Sequence, residues 1–151
     1  RGCRYSGDEK IRIRIADMDT EDIPKKMYSN DAFSQWLGME ILSASNGSAV
    51  VELKVRDDMT NGFGIAHGGI AYALADSALA FASNSLGSKA VSIETSISHT
   101  KPVKVGDTLK ASTKLKDKSN RLARFEVEVR NEQDVVALFR GTVFITEKLW
   151  Q

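Results

Sequence analysis

The sequence predicts an α+β protein in which one long helix is wrapped by a curved antiparallel sheet of about six strands. Two observations carry this. Ile70 to Leu86 reads as a helix with small residues all around it: Ala71, Ala73, Ala75, Ala78, Ala80 and Ala82, with Ile70, Leu74 and Phe81 supplying bulk. A helix apolar on every side is expected to be buried on every side, and alanine lets a sheet approach its backbone closely. The remaining regular segments alternate apolar and polar residues with a period of two and are joined by short turns, as in an antiparallel sheet.

The elements follow in order. Residues 1–30 are polar and read as an N-terminal extension or a loosely docked arm, with a possible short strand where Ile11, Ile13 and Ile15 alternate with Arg12 and Arg14. The domain itself is expected over 31–151. Ala32, Phe33, Trp36 and Leu37 recur at helical spacing and Gly38 supplies a stop. A strand around Met39 to Ala44 turns at Asn46-Gly47, a strong hairpin signal, into Ala49 to Arg56. A glycine-rich loop, Asn61 to Gly69, leads into the long helix, which Gly87 ends. Four further strands are expected: Ala90 to His99, Thr108 to Lys116, one around Ala123 to Val129, and Val135 to Thr146. The last is nearly all apolar, as for a strand covered on both faces. A single sheet layer around one helix leaves an edge open, and a dimer joining two sheets edge to edge would cover it.

Bulk properties narrow the function. The chain has 151 residues, 42% of them hydrophobic and 27% charged, which suits one ordinary domain. A formal net charge of +1 gives no case for nucleic acid or an acidic membrane surface. Cys3 is the only cysteine, so no disulfide framework is expected and a reducing, cytoplasmic setting fits. No apolar run approaches the ~20 residues of a membrane span, and no apolar stretch follows Arg1-Gly2-Cys3-Arg4 as a secretory signal would require.

The candidate chemistry lies in the loop and the helix after it. Asp76 sits among Ala75, Ser77 and Ala78, and aspartate is costly to bury without a partner. It reads either as a solvent-facing or capping carboxylate or as a general base or nucleophile in a cleft. His67-Gly68-Gly69 opens the helix, where backbone N–H groups lack intrahelical partners and the dipole adds positive potential. That could form an oxyanion site, although two glycines also suit a tight turn. His67 reads first as a hydrogen-bonded structural residue and second as a base. Asn61 is either turn chemistry or a group that orients water or a carbonyl. His99 carries no evident role. Two histidines without ligand-spaced acids make no metal site, and the loop lacks the GxxxxGK[ST] pattern of phosphate binding.

Asn61, Gly64, His67-Gly68-Gly69 and Asp76 resemble the active-site segment of hotdog-fold acyl-CoA thioesterases of the phenylacetate-degradation (PaaI-like) type. The likeness continues through Ala90 to Glu94 and Lys101 to Asp107 and covers roughly residues 31–147. The resemblance implies the hotdog fold and hydrolysis of an acyl-CoA to free CoA and a carboxylic acid, with no metal and no cofactor beyond the coenzyme A of the substrate. It implies that Asp76 activates water or attacks the thioester carbon, that the Gly68 amide polarises the carbonyl, that Asn61 holds the reacting groups, that Ser92 assists the water, and that His67 and Gly69 shape the substrate-binding loop. The partners expected are the acyl-CoA and a second copy of the chain, in a homodimer built up as a dimer of dimers. Lys89, Lys101, Lys104 and Arg121 could meet the CoA phosphates. A hotdog enoyl-CoA hydratase or dehydratase and a non-catalytic acyl-CoA-binding module are the other readings.

Overall fold

The computed structural model describes Thr20 and residues 22–151; the possible strand at Ile11 to Ile15 lies outside the described residues. The first helix, α1 (Asp22–Ser29), falls within the stretch read as an extension. Asp22 in its first turn and Lys26 in its last suit the helix dipole. Pro24 occupies the first turn, where a missing N–H costs nothing. Ile23 and Pro24 are buried. The Tyr28 hydroxyl donates to the Met39 carbonyl at 2.6 Å, and its ring meets Phe81 edge-on at 6.3 Å. Residues 22–29 thus pack onto the domain.

Helix α2 (Ala32–Leu37) is capped by Asp31, which accepts from the Ser34 amide at 3.0 Å and the Ser34 hydroxyl at 2.6 Å. Gly38 ends it in the left-handed region at φ 74°. Strands β1 (Glu40–Ser45) and β2 (Ser48–Lys54) form a hairpin whose turn residues, Asn46 and Gly47, both have positive φ. A 3-10 turn at Asp57–Met59 leads into the glycine-rich loop and then α3 (Gly68–Asn84). Strands β3 (Ser88–His99), β4 (Thr108–Lys118), β5 (Leu122–Arg130) and β6 (Val135–Leu149) complete one antiparallel sheet in the order β1-β2-β4-β5-β6-β3. This is the hotdog architecture that the resemblance implies.

The sheet closes around α3. Leu74, Ala75, Ala78, Leu79 and Ala82 are buried against inward-facing Val51, Leu53, Leu109, Phe125, Val127 and Phe139. Helix and sheet pack tightly at Gly141 on β6, where an added Cβ would stand 2.5 Å from Leu79 Cδ2.

Two expectations need correction. The helix is not buried on every side: Gly69 and Tyr72 are exposed and Asp76 is half-buried, one stripe that the single sheet layer leaves open beside the free edge of β3. And β6 is not covered on both faces. Its burial alternates, with Leu138 and Arg140 exposed on the outer side, because within one chain only the concave face of the sheet meets the helix.

Candidate active site

The start of α3 is built by hydrogen bonds around His67. Its imidazole Nδ1 accepts from the Gly69 amide at 2.9 Å and caps the helix. The His67 amide donates to the Met59 carbonyl at 2.8 Å. With Nδ1 occupied as an acceptor, a neutral ring carries its proton on Nε2. The cap starts the helix at Gly68, two residues before the apolar pattern begins. It also satisfies Gly69 and leaves the Gly68 amide without an acceptor among the described residues. That free N–H, at the positive end of the helix dipole, suits a developing negative charge.

Asn61 performs the turn chemistry its sequence context suggests. Its side-chain oxygen accepts from the Phe63 amide at 2.9 Å, its backbone amide donates to the Ile65 carbonyl at 2.8 Å, and its carbonyl accepts from Gly64 at 3.0 Å. The side-chain Nδ2 has no acceptor among the described residues. The Ala66 amide donates to the Val103 carbonyl at 2.9 Å and ties the loop to the Lys101–Asp107 segment. Here Asn61, His67, Gly68, Ala71, His99 and Pro102 line a cavity of about 180 Å³.

Asp76 belongs elsewhere on the helix. It makes no ion pair or hydrogen bond with any described residue, and partial burial with no cation beside it pushes its carboxyl above the usual aspartate range. Three contacts fix what lies next to it. Asn84 exchanges hydrogen bonds with Ala90 at 2.9 and 3.0 Å. The Tyr72 and Thr95 hydroxyls share a hydrogen bond. Gly68 lies against His99. Strand β3 therefore runs antiparallel to α3 along its length, and Asp76, one turn beyond Tyr72, falls level with Ser92 to Glu94. Ser92 pairs with buried Val143 and so faces the helix side of the sheet, and the register slips between Ser92 and Glu94, a bulge that re-aims the strand here.

The predicted residues thus form two groups. Asn61, His67, Gly68 and Gly69 gather at the start of α3; Asp76 and Ser92 gather midway along it. Tyr72 and His99 were not singled out by sequence reasoning. Tyr72 could have been found, since it is four residues before Asp76 and shares its face. His99 reaches the site only because β3 runs back along the helix. Of the basic residues considered for CoA phosphates, Lys101 pairs with Asp134 and Arg121 with Glu147, while Lys89 lies over the Trp150 ring. Among the described residues no cluster of His, Cys, Asp and Glu suits a metal ion, and no helix is long and apolar enough to cross a membrane.

A single antiparallel sheet wrapped around one long helix defines the hotdog class of fold. The profile of the thioesterase superfamily matches residues 63–138. The acyl-coenzyme A thioesterase PaaI of Escherichia coli (strain K12) is 40% identical over 116 residues, covering 76% of this chain and 83% of that protein. The structure of the E. coli PaaI protein from the phenylacetic acid degradation operon superposes with a TM-score of 0.83 at 36% identity, covering 86% of this chain and 95% of that one. A Streptococcus mutans UA159 protein bound to acetyl CoA superposes with a TM-score of 0.71 at 31% identity, covering 74% of this chain and 91% of that one. The chain belongs to the thioesterase superfamily, among its PaaI-like members, and the resemblance read from the Asn61–Asp76 segment is borne out.

Proposed function

We propose that this protein hydrolyses acyl-CoA thioesters at a site shared between two copies of the chain. The observation that carries the reading is the separation on α3 of a free amide at Gly68 and a partnerless carboxylate at Asp76. Their spacing along the helix, at ~1.5 Å per residue, is about 12 Å, whereas a reacting carbonyl needs its donor within about 3 Å and its attacking group close by. A twofold axis passing near Tyr72 and Thr95 would set the start of one helix against the middle of the other. The free β3 edge supports this, because Val91 and Ile93 on it are each 57% exposed.

The chemistry needs only water and the chain's own residues. The thioester oxygen accepts from the Gly68 amide, with Asn61 positioning the group. Asp76 of the other copy takes a proton from water as the water oxygen bonds to the carbonyl carbon, and Ser92 holds that water. Collapse of the tetrahedral intermediate breaks the C–S bond, and the CoA thiolate takes up the proton. Direct attack by the Asp76 carboxylate, followed by hydrolysis of the anhydride, uses the same groups. No cofactor or metal is called for in either route. The test is thiol release from aromatic, short-chain and long-chain acyl-CoAs, with enoyl-CoA hydration measured alongside. Turnover of at least one thioester supports the reading, and hydration without hydrolysis would overturn it.

A further inference from the structure

We infer that His99 is a second hydrogen-bond donor to the thioester oxygen, acting beside the Gly68 amide; this rests on the thioesterase reading above. His99 is the last residue of β3, and the antiparallel run of that strand along α3 brings its ring onto the helix start. A Cβ built on Gly68 would meet His99 Nε2 at 3.1 Å, Cε1 at 3.3 Å and Cδ2 at 3.8 Å, so the Nε2 edge is the one turned toward Gly68. The ring is exposed and makes no hydrogen bond with any described residue, and it lines the same cavity as Asn61 and Gly68.

Beside Asn61, which positions the group, two other polar side chains nearby are committed elsewhere. The His67 Nδ1 is committed to the Gly69 amide. The Lys101 ammonium, two residues on from His99, is held by Asp134. Glycine at position 68 leaves the ring room, since a Cβ there would make the imidazole give by a few tenths of an ångström. With its proton on Nε2, the imidazole would add a second donor beside the Gly68 amide in the cavity that both residues line, as an oxyanion hole requires. As the carbonyl carbon becomes tetrahedral and negative charge moves onto its oxygen, both donors strengthen. The imidazole neither gains nor loses a proton, and the C–S bond breaks as that charge returns.

The test compares His99→Phe, which keeps an aromatic ring without a donor, with His99→Gln, which keeps an N–H at similar reach. On the best acyl-CoA substrate the Phe variant should lose at least about 10-fold in kcat, with KM within about 3-fold of wild type. The Gln variant should retain most of the turnover. Circular dichroism checks the fold, and His99→Leu replaces the Phe variant should that one not fold. The inference is overturned if the donorless variant keeps wild-type kcat, if Gln falls as far as Phe, or if the loss lies in KM alone. A wild-type protein that hydrolyses no acyl-CoA overturns the thioesterase reading and this inference together. An active wild type, a dead Asp76→Asn variant and an unaffected His99→Phe variant overturn this inference alone.

Discussion

Gly68 and Asp76 stand on one helix, and about 12 Å of helix axis separates the free amide of the one from the partnerless carboxylate of the other. On the proposed function these two groups act on one thioester, and the open stripe of α3 beside the free edge of β3 is where a second chain would bring them together.

On the proposed function, replacing Asp76 with asparagine removes the general base and keeps the shape. Turnover should fall about 10²- to 10⁴-fold, the usual cost of a lost general base, and further if the carboxylate is the nucleophile. Steady-state kinetics on a variant with native circular dichroism measures this, and wild-type turnover would refute the assignment.

The raised pKa of Asp76 gives that substitution a stability signature. A folded pKa above the unfolded one means that the folded chain holds its proton more tightly. The resulting stabilisation is complete below the unfolded pKa and is lost as pH rises through the folded value. Asp76→Asn lacks this loss. Denaturant melts should show the variant gaining on wild type as pH rises from acid to neutral, with the difference closing again at low pH. The acid limb of the kcat/KM profile should likewise sit above the range of an ordinary aspartate.

Asn61 and Ser92 are neutral hydrogen-bonding groups and cannot act as bases near neutral pH. Asn61→Ala and Ser92→Ala should each slow turnover less than Asp76→Asn does. Asn61→Ala should also loosen the loop, since it removes the acceptor for the Phe63 amide, and faster amide exchange at Phe63 would report it.

The contact between Gly141 and Leu79 predicts a cost remote from the site. Gly141→Ala would set a methyl 2.5 Å from Leu79 Cδ2 within a packed core. Overpacking of this kind destabilises by about 1–3 kcal/mol, which thermal melts can measure.

The sheet, the central helix and the candidate Asn61–Asp76 segment were legible because each rests on local chemistry. Alternation marks the strands, Asn46-Gly47 and Gly38 mark turns, and Asp76 stands out as an acid among alanines. What was not legible depends on contacts distant in sequence. No helix was read around Pro24, where burial of Ile23 and the Tyr28 contact with Met39 stabilise one. The apolar run in β6 suggested two covered faces, yet which faces are covered is decided by the layers packed on the sheet. His67-Gly68-Gly69 marked the opening of the helix, but not that the His67 ring would cap it in place of one of the usual short polar residues. His99 looked idle because its neighbour Gly68 is distant along the chain.

The central claim, a site shared between chains, is tested most directly by subunit mixing. Asp76→Asn and Gly68→Val proteins, each inactive alone, are combined and allowed to exchange. A mixed dimer then holds one site with both defects and one with neither, so each verified heterodimer should regain about half the wild-type dimer rate. Heterodimers that form and stay inactive would show that each site lies within a single chain.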